Sequence, residues 1–389
     1  MQWIFRSLIN PREVSLGSES ETCLADRLIE VKLPTLLRTL AILLKPDLKL
    51  GQYYVDEHWS VQPERLFDFL YLIRSQEGSG LQRWFLFSNH IHLVRDAIKQ
   101  RILPIRSTRA VVEHYNTDPI FMSLMLGPSL SYTCAFFDDQ HTSLDDAQAN
   151  KLNVVIRRAS IDAQHTVLDL GTGWGYAPFP LADQLGCHVT GITLSKVQVR
   201  YCNERKDATA AKERLTFLCA DYATYAPERE FDRVISLGML EHVGKHQYKF
   251  FFDRVAKLLK PNGIALIHSM VEERATSPDA WIDRNIFPGG YIPTTSEVLS
   301  AIELSHCELT NLFVHEKSNY FRTLDSWKTN LFNNRIRCEN RLASLGLQDA
   351  EVRKVMRIWE YFLSSSQIAF SEKFGRCRVA HFLIKRKTP

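Results

Sequence analysis

Between residues 166 and 270 short apolar runs alternate with stretches of helical spacing. "TVLDLG" (166–171), "HVTGITL" (188–194), "LTFLCADY" (215–222), "FDRVISLG" (231–238) and "GIALIHSM" (263–270) read as strands. "YAPFPLADQLG" (176–186), "SKVQVRYCNERKD" (195–207) and "KHQYKFFFDRVAKLLK" (245–260) read as helices between them. Apolar strands separated by helices imply a mostly parallel sheet with both faces covered. In such α/β folds a ligand sits beyond the carboxyl ends of the strands.

Upstream the pattern is looser. Residues 1–30 read as a flexible lead-in, with the polar "NPREVSLGSESE" at 10–21. The opening "MQWIFRSLINPREV" carries a short apolar patch, which reads as a frayed terminus or a short anchor. Residues 31–80 suffice for a small α/β or mostly helical unit that includes the helix-like "PERLFDFLYLIRS". "QEGSGLQ" (76–82) reads as a linker and "RWFLFSNHIHLVRDAIKQRIL" (83–103) as a helix, so the main domain is expected over 81–389.

Composition narrows the class. The chain has 389 residues, of which 45% are hydrophobic and 24% charged, ordinary values for a soluble globular protein. A net charge of +4 argues against a dedicated nucleic-acid binder and suits transient contact with an anionic membrane surface. The cysteines at 23, 134, 187, 202, 219, 307, 338 and 377 form no C-x-x-C pair, which argues against zinc. With no secretory leader and no bilayer-length apolar run, the expectation is reduced thiols in a cytoplasmic protein.

The candidate chemistry begins at "DLGTGWG". Gly171, Gly173 and Gly175 follow a strand, where glycine allows close approach of a ligand. The spacing is G-x-G-x-G, not the G-x-G-x-x-G of a dinucleotide site. Asp169 stands two residues ahead and could fix the loop. This form is typical of S-adenosylmethionine-dependent methyltransferases. Most of them carry an acid for the ribose at the end of the second strand. Here the strand ends "GITLSKVQ", so Leu194 and Gln198 must serve through backbone groups or a neutral amide. Asp221 and Tyr222 in "CADYATY" could receive an adenine, the acid near its amine and the ring against its face. In "SLGMLEHVGKHQY", Glu241 and His242 follow a strand at the reactive end, where they could serve acid–base chemistry or cap a helix.

Taken together the chain resembles the cyclopropane fatty acid synthase family, with its mycolic acid cyclopropane synthase branch. The motifs that carry the resemblance are "HYNTDPIFMSLMLGPSLSYTCAFF", "LDLGTGWG", "TGITLSKVQ", "SLGMLEHVG", "WIDRNIFPGGYIPT" and "NYFRTLDSW". "LKLGQYYVDEHW" (48–59) resembles the family's small N-terminal lipid-handling domain. The likeness covers roughly 35–385. It implies a Rossmann-like class I methyltransferase with helical acyl-binding insertions in its main domain, S-adenosylmethionine as cofactor, and a bicarbonate ion as the base. By resemblance Tyr132, Thr133, Gly171, Gly173, Leu194, Gln198, Asp221 and Tyr222 would line the cofactor site. The bicarbonate ligands would be Cys134, Glu241, His268 and Tyr320, with the backbone near Met270. The substrate implied is an unsaturated phospholipid acyl chain, reached from a peripheral position on the membrane; a homodimer is possible.

The chemistry suits these residue types. A cis double bond that takes up a sulfonium methyl becomes a carbocation, which water would trap. Aromatic faces stabilise such a cation without capturing it. Tyr132, Phe136, Phe137, Trp281 and Tyr320 are the aromatic candidates, each of which could equally be core. Glu241 and bicarbonate are both anions, so one must share a proton or bond through His268.

There are departures. Thr172 stands where cysteine is usual, Thr133 for serine, Leu240 for phenylalanine, and "HYNTDP" replaces the usual entry motif. Pro178 and Pro180 fall early enough in their helix to be tolerated. Three other readings stand beside the main one. They are an amine N-methyltransferase of the alkaloid type, a fatty-acyl C-methyltransferase without ring closure, and a silent lipid- or nucleotide-binding protein.

Overall fold

The computed structural model describes residues 31–32, 35–75, 117–276 and 279–387. The lead-in, the linker and the helix expected over 83–103 lie outside the described residues.

The chain opens with β1 (Val31–Lys32), α1 (Leu36–Leu44), α2 (Pro46–Val55), β2 (Ser60–Val61) and α3 (Leu66–Ser75). Two helices follow, α4 (Pro119–Leu126) and α5 (Leu144–Ala159). The alternating part runs β3 (Thr166–Leu170), α6 (Pro178–Asp183), β4 (His188–Thr193), α7 (Lys196–Asp207), β5 (Leu215–Cys219), β6 (Phe231–Leu237), α8 (Tyr248–Leu258) and β7 (Leu259–Glu272). The rest is α9 (Ala280–Asn285), α10 (Thr295–Glu303), β8 (Cys307–His315), α11 (Lys317–Asn333), α12 (Arg335–Ser344), α13 (Asp349–Ile368) and β9 (Cys377–Arg386).

Seven strands form one sheet in the order β5-β4-β3-β6-β7-β9-β8. β5, β4, β3, β6 and β7 are parallel, and β9 runs antiparallel to both β7 and β8. The mostly parallel sheet and flanking helices are those of a class I S-adenosylmethionine-dependent methyltransferase. Alternation sorts the two faces. Val167 joins the core under α5 and α6, while Leu168 and Leu170 join the core under α8 and α10. Strand order reverses between β3 and β6, which opens a crevice at their carboxyl ends.

All five expected strands and the three helices between them form. The prolines fix where α6 begins. Pro178 opens it and Pro180 sits in its first turn, where backbone N–H groups have no helical partner in any case. At 245–247 the expected helix begins as a 3-10 turn, and α8 runs straight into β7, which starts at Leu259 and not at 263. Helix α5 has no counterpart in the sequence reading. Ser143 caps it by accepting from Asp146 N, acids open it, and Arg157 and Arg158 close it.

The N-terminal helices share one apolar core with α11, α12 and α13. Tyr54, Trp59 and Phe69 pack in it with Trp281, Trp327, Trp359 and Phe362. A polar staple fixes the join. Tyr54 Oη donates to the buried Glu360 at 2.8 Å, and Arg335 pairs with the same carboxylate. The Arg357 guanidinium lies 3.8 Å over the Tyr54 ring and donates to the carbonyls of Tyr54 and Trp59. Gly51 makes the close approach possible, since a Cβ there would stand 2.5 Å from the Tyr361 ring.

Removing the Tyr54 hydroxyl strips a donor from a buried carboxylate. Tyr54→Phe is expected to cost about 1–2 kcal/mol of unfolding free energy, read as a lower urea midpoint. An unchanged midpoint would remove this staple from the docking of the N-terminal helices.

Candidate functional site

At the switch point the strand ends surround a cavity of about 360 Å³. Asp169, Gly171, Thr172 and Gly173 form its floor after β3. Leu194, Ser195 and Gln198 follow β4, Asp221 and Tyr222 follow β5, and Gly238 and Met239 follow β6. Tyr132 and Thr133 arrive from an irregular segment as a further wall. Nine of the ten cofactor candidates therefore meet here. Gly175 does not; it turns the chain with φ +82 beneath Phe179 and Cys202, where a Cβ would clash at 2.6 Å. Its role is packing.

Among the described residues the lining carries two carboxylates, Asp169 and Asp221, and no lysine or arginine. Phosphate needs cations or converging N–H groups, so this lining suits a nucleoside with positive charge better than a polyphosphate. Two buried oxygens, Asp169 Oδ1 and Thr172 Oγ1, have no protein partner among the described residues. Burial pushes the Asp169 carboxyl up to about 7. At Gly173, φ is +55 and a Cβ would meet nothing nearer than a backbone oxygen at 4.0 Å, so the space above it belongs to the cavity. The Gln198 carboxamide oxygen accepts from Thr193 at 2.7 Å, which leaves its NH₂ as the end that can donate. Asp221 Oδ1 accepts from Ala223 N within its own turn.

Behind this wall the four catalytic candidates converge. Cys134 follows Thr133 and is buried with Phe136 and Val379, against which Met270 and Tyr320 pack. Glu241 follows the β6 loop in a 3-10 turn, and its Oε1 accepts from Met270 N at 2.5 Å. The other oxygen, Oε2, is buried with no partner among the described residues. His268 is two residues before Met270 on β7, hence on the same face, and Phe136 stacks on its ring at 6.0 Å. Burial pushes the Glu241 carboxyl up to about 7 and the Cys134 thiol up to about 12, and it holds His268 well below its ordinary range. Burial thus favours a thiol, a neutral imidazole and a carboxyl drawn toward its protonated form.

Helices pin the irregular segment. Ala135 N donates to Thr323 Oγ1, Phe137 N to Asn319 Oδ1, and Phe136 N to the Ala147 carbonyl. The sequence reading missed Lys151 on α5. Fully buried, it donates to Ser131 Oγ at 2.7 Å and Thr133 Oγ1 at 2.6 Å, and it sits 4.2 Å over the Tyr176 ring. Burial lowers its ammonium to about 7. A lysine amid "DDAQANKLNVV" gives no sequence signal of burial, since its partners lie 18 and 20 residues away.

Of the aromatic candidates, Tyr132 is at the cavity, between Trp327 and Phe287, and Phe136 and Tyr320 are in the cluster behind it. Trp281 is elsewhere, fully buried beside Tyr361 and the N-terminal helices. Phe137 lies under the Arg322 guanidinium, away from the cavity lining. His242 lines the cavity with its ring 5.2 Å from that of Phe287 and steeply inclined to it.

Known proteins resemble this chain in sequence and fold. The model of the mycolic acid cyclopropane synthetase family matches residues 104–381. A probable fatty acid methyltransferase of Pseudomonas putida is 30% identical over 68% of this chain, and the match spans 66% of that protein, just under two thirds. The cyclopropane-fatty-acyl-phospholipid synthase of Escherichia coli K12 is 30% identical over 71% of this chain and 69% of its own length. Among solved structures, the cyclopropane synthase MmaA2 of Mycobacterium tuberculosis superposes with a TM-score of 0.63 at 26% identity, covering 70% of this chain and 96% of that one. The family model spans well over half of the chain, and the chain belongs to the mycolic acid cyclopropane synthetase family.

Proposed function

We propose that this protein transfers the methyl group of S-adenosylmethionine to a cis double bond of an unsaturated phospholipid acyl chain and closes a cyclopropane ring, with bicarbonate assisting loss of the proton. The observation that supports the reading is that Cys134, Met270 and Tyr320 pack around Phe136, while Glu241 accepts from Met270 N and Phe136 stacks on the His268 ring. The names of relatives point to fatty acids and phospholipids as the substrate class.

S-adenosylmethionine, when bound, supplies an electrophilic methyl on sulfur. Asp169, Asp221 and the Gly173 backbone are the groups available to hold a cationic nucleoside. As the new C–C bond forms from the alkene π pair, the methyl's bond to sulfur would break with its pair left on sulfur as a neutral thioether, and the adjacent carbon becomes cationic. Phe136, Met270 and Tyr320 exclude water there, and aromatic faces favour positive charge. A proton then leaves the added methyl, and its C–H pair closes the ring. Bicarbonate, when bound, would supply a small base that neutral side chains can surround. The partnerless Oε2 of Glu241, the Cys134 thiol and the His268 ring are the groups available to it. A carboxyl that titrates near 7 can carry the proton that keeps two anions from facing each other. No helix among the described residues is long and apolar enough to cross a membrane. In this reading the acyl substrate is met from a peripheral position on the bilayer.

Vesicles of cis-monounsaturated phospholipid, incubated with the protein and methyl-labelled S-adenosylmethionine, are expected to gain a labelled methylene and lose olefin reactivity by mass spectrometry, faster with bicarbonate. Label with olefin reactivity retained would make the protein a C-methyltransferase without ring closure. No label in lipid, with cofactor bound, would turn the reading to a small amine.

Gly173→Val fills the space over the floor and strains a positive φ. Its cofactor affinity by calorimetry is expected to fall beyond detection; an unchanged dissociation constant would place the cofactor elsewhere.

Glu241→Gln is expected to cut turnover at least tenfold, as loss of one stabilising group in a dry site does, with little change in cofactor affinity. The same variant reads the buried carboxyl. Its folded value, about 7, lies above the ordinary 4.5, so the folded state holds the extra proton between those values. The group's full contribution is present below 4.5 and is lost as pH rises through about 7. Without bicarbonate, Glu241→Gln should therefore gain on the wild type above pH 7 by up to about 3 kcal/mol and not below pH 4.5. A pH-independent difference would show that the carboxyl is not raised.

A further inference from the structure

His268 is not an isolated ring. It faces His381 directly across the β7–β9 pair, and its Nδ1 lies 2.9 Å from His381 Nε2. His381 Nδ1 in turn lies 2.8 Å from Arg158 Nη1, and the same Nη1 lies 2.8 Å from His315 Nε2. His315 is on β8, diagonal to His381 across the β8–β9 pair. Phe136 stacks over the group, 3.9 Å from the His315 ring and 6.0 Å from the His268 ring. Arg158 comes from the last turn of α5 and rests 3.8 Å over the Phe313 ring, which fixes its plane.

We propose that Arg158 and His381 are positioning residues that hold His268 in its neutral Nε2–H tautomer, so that the ring nitrogen left over is a hydrogen-bond donor to the Cys134–Glu241–Tyr320 cluster.

The argument is one of direction. A guanidinium only donates. Nη1 carries two hydrogens, so His381 Nδ1 and His315 Nε2 must both present lone pairs to it. Neutral His381 then carries its proton on Nε2. That N–H points at His268 Nδ1, which must accept. The His268 proton is therefore on Nε2, a nitrogen with no hydrogen bond to protein among the described residues. Protonating His268 would put a second hydrogen into the His381 contact. Burial opposes it too, as do the neighbouring charges of Lys151 and Arg158. Without Arg158 the chain of bonds can reverse. His381 could carry its proton on Nδ1 and accept from His268, which would turn His268 Nε2 into an acceptor.

The direction matters to the reaction. A neutral N–H donor can hold a small anion without adding a cation beside a bound sulfonium. A lone pair in the same place would repel the anion. The assignment of that donor to bicarbonate rests on the function proposed above; the tautomer does not.

The test uses the full-length protein with ¹⁵N-labelled histidine and long-range ¹H–¹⁵N correlation at neutral pH, with assignments from single His→Gln variants. His268 and His381 are expected as neutral Nε2–H and His315 as neutral Nδ1–H, with Arg158→Met scrambling the first two. In the lipid methylation assay, Arg158→Met and His381→Leu are expected to lose about 10–100-fold in kcat, with binding of S-adenosylhomocysteine unchanged. His381→Gln should recover most of that loss, because its carboxamide oxygen can accept from Arg158 while its NH₂ donates to His268. An Nδ1–H tautomer of His268 in the wild type would overturn the proposal. So would a folded His381→Gln variant as impaired as His381→Leu. Should the wild type methylate no lipid, the function proposed above falls while the tautomer measurement still decides this one; should His381→Leu fail to fold, the wild type and Arg158→Met spectra decide it.

Discussion

The bond from Met270 N to Glu241 Oε1 organises the site. It ties the turn after β6 to the strand beside it and commits a carboxylate to the interior. Burying a carboxyl with one oxygen unmatched is unfavourable, and folding alone gives no reason to accept it. The surroundings answer the cost by neutralising charge rather than pairing it. Among the described residues no cation contacts Glu241; its titration moves toward neutrality instead, and the thiol and imidazole near it are kept neutral by the same burial. A spot built from neutral polar groups in an apolar wall is what a small exchangeable anion requires, and it is a poor place for a permanent ion pair.

The cations that do approach are held one step back. Lys151 spends its hydrogens on Ser131, Thr133 and the Tyr176 face, so it orders the wall without meeting the cavity. Arg158 spends its own on two histidines. Both come from one face of α5, two turns apart, and that helix packs on β7. Among the described residues the cavity is thus lined by carboxylates and no lysine or arginine, which suits a cationic nucleoside. Thr172 belongs to the same design. Its side chain lies so close to Gly191 that a Cβ there would meet Thr172 Oγ1 at 2.6 Å. The exchange of the family's usual cysteine for threonine is therefore accommodated by a strand glycine.

What the sequence made legible was what repeats or punctuates. Strands β3 to β7 were readable because their apolar runs are nearly unbroken, and the floor because three glycines follow one of them. Helix α5 was not, because the face it buries includes Gln148 and Lys151, so an apolar periodicity never forms. Strand β8 was hidden for the opposite reason. It is an edge strand whose residues are mostly open to solvent, and "CELTNLFVH" lacks a buried run. Motif likeness brought Cys134, Glu241, His268 and Tyr320 to one list, but the glycine spacing also offered Gly175 and the matched motifs Trp281, and the surroundings of both are core. Type and spacing cannot separate a glycine that faces a ligand from one that faces a phenylalanine.

The histidine relay lay beyond sequence reading on principle. Arg158 and His381 are 223 positions apart, and only the antiparallel addition of β9 to β7 brings them together. That addition also explains why the relay can be rigid. His268 and His381 are directly paired in a sheet, and sheet register fixes ring separation more firmly than loops can. A one-residue slip of β9 would send His381 to the opposite face and put Phe382, now in the core with Ile384, toward α5. Register is thus enforced by hydrophobic burial on one face, and the polar geometry on the other face follows from it. The site inherits its precision from the core beneath the sheet, so the antiparallel strands at the edge of the fold belong to the chemistry as much as the glycine floor does.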